Sequence, residues 1–237
     1  MPGIKAVLFD LDDTLFDHRY CTRTALSHLQ DKYECFRRAT LDEFETEHMK
    51  LLDELMNAVL PGTLSIEEAR TERFRRAFVK FNAKAEAGES KIAAGIYRKM
   101  YEESWRLSSG ALPFLKSLNK KYKIGIITNN LRSEQEEKLK RCGIEHFIDV
   151  MVTSEDTGLT KPSAEMFKIT LGKLGVLPEE TVMIGDSWTA DITGAYNAGI
   201  KSIWLNIYGI DCPDPSMAYE IRSLNELNDF ENILNLL

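Results

Sequence analysis

The pattern of apolar and polar residues divides the chain into three regions. Within the predicted strand 4–9, residues 6–9 form an apolar run that stops at a cluster of carboxylates, as a buried strand does when it ends at a solvated edge. Residues 16–106 then carry apolar side chains at helical spacing, and no strand pattern interrupts them. We predict helices at about 17–36, 41–60, 66–81 and 89–105 in this second region.

Turn and capping residues separate the predicted helices. Pro61-Gly62 ends the second helix, because proline cannot continue it and glycine accepts the turn. Ser65 and Glu68 have the spacing of a capping box, in which each side chain satisfies a backbone N–H at the start of a helix. The third helix should therefore begin directly after Ser65.

The third region, from residue 107 onward, alternates short apolar runs with amphipathic segments. This alternation is typical of a parallel sheet whose strands are connected by helices. The predicted strands are 123–128, 147–152, 181–185, 200–205 and 218–222, and the predicted helices are 110–120, 132–141, 163–174, 189–198 and 224–235.

These regions predict an α/β protein with a Rossmann-like parallel-sheet core and an inserted α-helical cap domain. Because the first strand is separated from its sheet by the helical region, residues 1–15 and 107–237 should form the catalytic core and residues 16–106 the cap. The chain of 237 residues is long enough for both.

Composition narrows the classes of partner and the location. A net charge of -7 argues against nucleic acid, which requires a basic surface. No run of apolar residues is long enough to span a bilayer and no secretory leader precedes the first strand, so we expect a cytoplasmic protein without a membrane partner, either a monomer or a homodimer. The four cysteines lack CxxC spacing and are interpreted as structural thiols.

Polar clusters follow several of the predicted strands. In an open α/β sheet, ligands bind at the carboxyl ends of the strands, so these clusters should meet at one site. Crowded carboxylates raise one another's pKa unless a cation shares the site, and Mg²⁺ is the cation that prefers such oxygen ligands. The four clusters are Asp10-Leu11-Asp12-Asp13-Thr14, Thr128-Asn129-Asn130, Lys161-Pro162, and Gly185-Asp186-Ser187 with Asp191.

In order and spacing, the four clusters resemble the four motifs of the haloacid dehalogenase superfamily, whose members are mostly magnesium-dependent phosphohydrolases. The resemblance extends from Val7 to Gly199. The helical insert directly after the first motif resembles the C1-type cap, in an arrangement similar to that of the N-acylneuraminate phosphatases and pyrimidine 5′-nucleotidases of the superfamily.

The resemblance implies a role for each motif. Asp10 holds the position of the nucleophile, Asp12 that of a general acid and base, and Lys161 that of a stabilising cation. The implied metal ligands are the Asp10 side chain, the Asp12 backbone carbonyl and the Asp186 side chain, with Asp191 in a supporting position. The implied phosphate ligands are Lys161, Thr128 and the backbone N–H groups around Leu11 and Asn129.

Some residues allow two interpretations. Arg132 and His18 are candidate substrate contacts, but each could equally be structural. Asp13 is expected to belong to a helix-capping turn, and the same interpretation is open for Thr14. Asn130 replaces the usual glycine of the second motif, and since asparagine tolerates a positive φ, the turn should survive the replacement. Arginines of the cap could meet an anionic substrate, at Arg19, Arg23, Arg70, Arg73, Arg75 and Arg76. For those on the third helix, Arg70 to Arg76, a solvated face balanced by neighbouring glutamates is the simpler interpretation.

The predicted function is hydrolysis of a phosphomonoester on a small metabolite, either a sugar phosphate or a nucleoside monophosphate. Asp12 favours this over dehalogenation, because an ester's leaving oxygen needs a proton and a halide does not. A phosphomutase remains an alternative. So does a phospho-accepting receiver module, although such modules lack a cap.

Overall fold

The computed structural model describes residues 3–237. The chain forms two compact units, one containing the residues up to Asp17 together with Arg106–Leu237, and the other His18–Trp105. The sequence places the boundaries after residues 15 and 106, within two residues of these positions. We call the first unit the core and the second the helical insert.

The core contains a six-stranded sheet in which every pairing is parallel, with the order β3-β2-β1-β4-β5-β6. The first strand in the sequence is therefore central, between β2 and β4. All four of its residues are fully buried, which explains why the run is apolar without alternation. The strands are β1 Ala6–Phe9, β2 Lys123–Thr128, β3 Val150–Thr153, β4 Thr181–Gly185, β5 Lys201–Leu205 and β6 Tyr219–Ile221.

The helical insert contains the first five helices of the chain. Thr40 and Ser65 form capping boxes with Glu43 and Glu68, so the predicted start of the third long helix is confirmed. Aromatic rings fill part of the interior, with Phe36 stacked on Phe44 at 4.5 Å between ring centroids. The helices are α1 His18–Lys32, α2 Glu34–Arg37, α3 Leu41–Val59, α4 Ile66–Lys80 and α5 Glu89–Glu103.

The remaining helices belong to the core, where most of them connect the strands and the last one follows β6. Leu8, Phe167 and Leu171 belong to the cluster of buried apolar side chains that joins the sheet to its helices. The helices are α6 Ala111–Leu118, α7 Arg132–Arg141, α8 Ser154–Thr157, α9 Ala164–Leu174, α10 Gly194–Asn197 and α11 Phe230–Leu236.

Two predicted helices differ in kind from the structure. The segment predicted as one helix over 189–198 begins as a π-helical turn, Trp188–Thr193, before α10. The segment 224–235 begins as a 3₁₀ turn, Leu224–Asp229, and continues as α11 after a kink at Leu227. Apolar periodicity does not distinguish these wider and tighter turns from an α-helix, so the sequence could not predict them.

The two connecting segments lie side by side within the core. The Arg106 guanidinium donates to the Asp17 carboxylate at 2.8 and 2.6 Å, and the Asp17 N–H donates to the Arg106 carbonyl. Both exits of the chain towards the insert are thereby fixed to each other.

Two further expectations from the sequence concern the cysteines and membrane-spanning helices. The four cysteines are free thiols, with Cys21 buried. Among the described residues, no helix combines the length and apolar character that crossing a membrane requires.

Candidate active site

The strand order brings three of the four polar clusters to one edge of the sheet. Because β1 lies between β2 and β4, the residues that follow these strands are neighbours at their carboxyl ends. Asp10 follows β1, Thr128 ends β2, and Asp186 follows β4. Lys161 reaches the same edge from the loop between α8 and α9.

The centre of the site is a buried ammonium group between two carboxylates. The Lys161 Nζ donates to Asp10 Oδ1 at 2.5 Å and to Asp191 Oδ1 at 2.6 Å. Lys161 is 5% exposed, Asp10 7% and Asp191 0%. Burial lowers the pKa of Lys161, but the two carboxylates outweigh that effect and raise it above its ordinary value. Lys161 is therefore a permanent cation next to Asp10.

Asp186 adds a third carboxylate to this group. Asp10, Asp186 and Asp191 each offer an oxygen, and these oxygens lie within 4.8 Å of one another. With one ammonium among three carboxylates, two negative charges are in excess when all are ionised. Burial, opposed by Lys161 and assisted by Asp191, raises the pKa of Asp10 to about 7. Burial and the charge of Asp10 also raise the pKa of Asp186 well above its ordinary value.

Gly185 is required by the close approach of Asp191. A Cβ at Gly185 would lie 2.3 Å from Asp191 Oδ2, closer than any non-bonded contact allows. Asp191 lies in the π-helical turn and accepts the Ser187 N–H at 3.0 Å through the same oxygen. The glycine at the end of β4 therefore leaves the space in which Asp191 holds Lys161.

Asp12 lies apart from the three carboxylates and is held by donors. Its Oδ1 accepts the Lys138 ammonium at 2.6 Å, and its Oδ2 accepts Gln135 Nε2 at 3.0 Å and Asn130 Nδ2 at 3.2 Å. The Asp12 side chain is 23% exposed, whereas that of Lys138 is 1% exposed. A partly exposed carboxylate in a fixed orientation is suited to exchanging protons with a substrate or a water molecule.

The second motif supplies a hydroxyl and an organising amide. The buried Thr128 hydroxyl accepts Gln135 Nε2 at 2.8 Å, so its own proton is directed to another acceptor. The Asn129 side chain pairs twice with the backbone of Lys161, donating to its carbonyl at 3.0 Å and accepting its N–H at 2.7 Å. Asn129 therefore fixes the backbone from which the Lys161 ammonium projects, a function that the sequence did not suggest.

Gln135 and Lys138 are residues of the site that sequence reasoning missed. They lie three positions apart on α7, a helix composed almost entirely of charged and polar residues. A lysine in such a helix is normally solvated, and the one signal in the sequence was that Gln135 lies four residues before the apolar Leu139 and three before Lys138. Their burial is visible only once the helix is placed against the sheet.

The two candidate substrate contacts, Arg132 and His18, have hydrogen-bond partners within the protein. Arg132 pairs with Asp156 at 2.6 and 2.5 Å and with Glu136 at 3.1 Å. The hydrogen bonds from Arg132 lower the pKa of Asp156 to about 2, so this pair is ionised at neutral pH. His18 belongs to the helical insert, where its Nδ1 lies 2.7 Å from the Tyr101 hydroxyl. The ion pairs of Arg132 with Asp156 and Glu136 favour the structural interpretation of Arg132.

The structure changes the explanation for Asn130. Among the described residues other than glycine, positive φ angles occur at Asp13, Asn82 and Lys120, and Asn130 is not one of them. The expectation that Asn130 accommodates a positive φ was therefore wrong. Its side chain instead accepts the Leu131 N–H at 2.8 Å and contacts Asp12. Asp13, predicted to form a turn, has a φ of 61°, and Thr14 donates to Asp186 Oδ1 at 3.4 Å.

Most of the arginines in the insert pair with acids of the same unit, as a solvated helix face predicts. Arg19 and Arg23 both contact Glu45, and the pairs on α4 are Arg70 with Glu67, and Arg75 and Arg76 with Glu72. Arg73 is different because it is only 6% exposed. Its guanidinium lies 5.0 Å from the centroid of the Tyr97 ring, so the solvated interpretation was wrong for this residue.

Comparison with known proteins identifies the class to which this fold and site belong. The chain belongs to the haloacid dehalogenase-like hydrolases, since the profile of that family matches residues 7–205. It is 30% identical to the HAD-hydrolase YfnB of Bacillus subtilis, covering 99% of this chain and 98% of that protein. The magnesium-bound crystal structure of YfnB superposes with a TM-score of 0.76 at 29% identity, over 98% and 99% of the two chains.

Two relatives with named substrates are phosphatases. The chain is 32% identical to the glyceraldehyde 3-phosphate phosphatase of Methanothermobacter thermautotrophicus, covering 86% of each protein. It is 29% identical to the human N-acylneuraminate-9-phosphatase, covering 87% of this chain and 84% of that protein. The predicted family is thus confirmed and the chain is an enzyme of that family, which rules out the receiver module.

Proposed function

We propose that this protein is a magnesium-dependent phosphomonoester hydrolase acting on a small phosphorylated metabolite, a sugar phosphate or a nucleoside monophosphate. The observation that carries the proposal is the pair of acids at the end of β1. Asp10 is buried against the Lys161 ammonium, and Asp12, two residues later, is partly exposed and held by three donors. We assign nucleophilic attack to the first acid and proton transfer to the second.

In the first step, Asp10 attacks the phosphorus of the ester. A carboxylate oxygen forms a new bond to phosphorus while the bond to the leaving oxygen breaks, giving an aspartyl phosphate and an alcohol. Negative charge spreads over the phosphoryl oxygens in the transition state. Lys161 stabilises that charge, and Thr128 orients the group with a hydroxyl proton that Gln135 directs away from itself.

Asp12 moves the protons of both steps. As an acid, it protonates the leaving oxygen of the ester, which would otherwise depart as a strongly basic alkoxide. As a base, it then takes a proton from the water molecule that attacks the aspartyl phosphate, releasing inorganic phosphate and restoring Asp10. Halide departure needs no such proton, so Asp12 argues against the dehalogenase alternative.

The residues present fit a divalent cation. The two excess negative charges among Asp10, Asp186 and Asp191, together with the raised pKa values of the first two, indicate a buried group that requires a cation. Asp10, Asp186 and the Asp12 carbonyl would hold Mg²⁺, with Asp191 supporting Lys161. When bound, the ion supplies positive charge to the phosphoryl oxygens.

A panel of phosphorylated metabolites tests the function and separates it from a phosphomutase. We expect purified protein with Mg²⁺ to release inorganic phosphate from at least one sugar phosphate or nucleoside monophosphate, and Asp10→Asn to serve as the blank. A mutase would isomerise its substrate without net release. If no phosphate appears from any compound while the protein is folded and Mg²⁺ is present, the proposal is wrong.

Binding of the proposed Mg²⁺ should raise the melting temperature, and the size of the increase should depend on pH. Asp10 has a pKa of about 7 in the folded protein, raised from an ordinary value of 3.8, so between these values the folded state keeps a proton that the unfolded state has lost. Without an ion, stability therefore falls as the pH rises from about 4 to about 7 and stays low above that. An ion that binds the ionised group should therefore stabilise the fold more at pH 8 than at pH 6. At 100 times Kd the gain is roughly 2.7 kcal/mol, about 5 to 10 °C in melting temperature. Displacement of at least one proton predicts an apparent affinity at least about tenfold weaker at pH 6.

Differential scanning fluorimetry across Mg²⁺ concentrations at both pH values measures this effect. Asp186→Asn should remove most of the shift because it replaces an anionic oxygen ligand by a neutral amide, whereas the exposed Glu179→Gln should leave the shift unchanged. Equal shifts at pH 6 and pH 8, or a full shift in Asp186→Asn, would contradict the assignment of the ion to these carboxylates.

A further inference from the structure

The polar face of α7 contains a buried cation that the proposed chemistry leaves unexplained. The Lys138 side chain is 1% exposed, although it projects from a helix whose other lysine, Lys140, is exposed. Removing a lysine ammonium from water costs several kcal/mol unless a partner compensates for the loss. Lys138 has such compensation in the Asp12 carboxylate at 2.6 Å and the Phe16 ring, whose centroid lies 4.8 Å from Nζ.

Gln135 lies one helical turn earlier on the same face and extends the contact. Its Nε2 donates to Asp12 Oδ2 at 3.0 Å and to the Thr128 hydroxyl at 2.8 Å. Gln135 is fully buried, and its Oε1 has no hydrogen-bond partner among the described residues. An unsatisfied buried acceptor is unfavourable, so Oε1 does not favour this orientation of the side chain. The two hydrogen bonds that the amide nitrogen donates determine the orientation instead.

We propose that Lys138 and Gln135 are positioning residues that fix the Asp12 carboxylate, and that Gln135 couples it to Thr128. This inference rests on the proposed function, in which Asp12 transfers protons and Thr128 contacts phosphate. Both oxygens of Asp12 accept from α7 side chains, so the carboxylate is held at two points rather than one. A proton-transfer group that can rotate away from its substrate loses rate, because reactivity depends on the distance and alignment of the reacting atoms.

The roles of the two residues differ in what they should affect. Lys138 acts on Asp12, the group that transfers protons, so its loss should lower kcat with little change in KM. Gln135 contacts Thr128 as well, so its loss should also raise KM. A purely structural role for either residue would lower kcat through misfolding, irrespective of whether Asp12 is present.

A double-mutant cycle on Asp12 tests the proposal. We expect Lys138→Met to lower kcat about 10- to 100-fold with KM changed less than about threefold. In the Asp12→Asn background the same substitution should cost less than about twofold, because the group it positions is gone. Turnover is measured with p-nitrophenyl phosphate, whose leaving group departs without a proton, so that the first step does not depend on Asp12. In this assay kcat reports the water attack in which Asp12 is the base, and the Asp12→Asn enzyme keeps the activity that unassisted water attack allows.

Three further variants make the result decisive. Lys138→Arg should recover part of the lost kcat since it retains a cationic donor, and Lys140→Met on the same helix should leave kcat unchanged. Gln135→Met provides a second cycle if Lys138→Met fails to fold, as judged by its melting temperature. Its kcat loss should also disappear in the Asp12→Asn background, while its KM increase should remain.

The outcomes separate this inference from the proposed function. If Lys138→Met and Gln135→Met lower kcat by the same factor with and without Asp12, or not at all, the positioning role is overturned while the phosphatase activity of the parent protein stands. If the parent protein releases no phosphate from any substrate, the proposed function fails and this inference fails with it.

Discussion

Asp10→Asn is expected to lower the rate of phosphate release by at least about 10⁴-fold, the largest effect predicted here. An amide has no anionic oxygen with which to form the bond to phosphorus, so the covalent step is lost rather than slowed. The variant should nevertheless fold. It removes one of the two excess negative charges of the site, so without divalent ions at pH 8 its melting temperature should equal or exceed that of the parent protein.

Intact-mass measurement after acid quench provides a second readout for Asp10. The parent protein should gain the mass of one phosphoryl group during turnover, and Asp10→Asn should not. Asp13→Asn is the matched control, because asparagine tolerates the positive φ at this position and Asp13 has no part in the proposed chemistry. More than about 1% of parental turnover in Asp10→Asn, at saturating substrate, would remove Asp10 from the nucleophile position.

The parts of the site that could be predicted are those with a local signal. Asp10, Thr128 and Asp186 each stand directly after an apolar run, and such runs identify strands without knowledge of the sheet. Their convergence follows from one topological fact, the central position of β1 in a parallel sheet. For these residues, the position in the sequence was therefore enough to predict the position in the site.

The roles that sequence reasoning missed are those that depend on which face of an element is covered or on contacts between distant residues. Lys138 and Arg73 both lie in strongly charged helices, and both are buried in the structure. A single sequence does not reveal which side of such a helix meets another element, because the apolar stripe that normally marks it is replaced by long polar side chains. Asn129 is similar, since its two bonds to Lys161 join residues 32 positions apart.

Asp191 shows how a local irregularity serves the site. Its segment was predicted as a regular helix, but it is a π-helical turn in which Asp191 reaches the Lys161 ammonium and the Ser187 N–H. Such turns widen a helix and are frequent at functional sites. Gly185, directly before Asp186, leaves the necessary space because it has no side chain. The motif therefore contains a carboxylate of the site and a glycine that makes room for Asp191.

Lys161→Met is expected to lower kcat/KM by about 10³-fold and to destabilise the protein in the absence of divalent ions. Removing one preorganised donor to a developing negative charge costs about 10²- to 10³-fold, and Lys161 contributes a full positive charge. Its loss also leaves Asp10 and Asp191 buried without their ammonium partner. Breaking a buried ion pair in this way costs about 3–5 kcal/mol, measurable as a fall in the denaturant midpoint.

The two effects of Lys161→Met should respond differently to Mg²⁺. A divalent ion bound beside Asp10 restores part of the missing positive charge, so the stability loss should shrink when Mg²⁺ is added. Activity should not return, because the added ion does not occupy the position of the Lys161 ammonium. The exposed Lys168→Met, on the helix that follows Lys161, should change stability by less than about 0.5 kcal/mol and leave kcat/KM unaltered. A Lys161→Met enzyme within tenfold of parental kcat/KM would show that the ammonium does not stabilise the reacting phosphoryl group, and would leave the buried Asp10–Lys161–Asp191 contact as a structural feature alone.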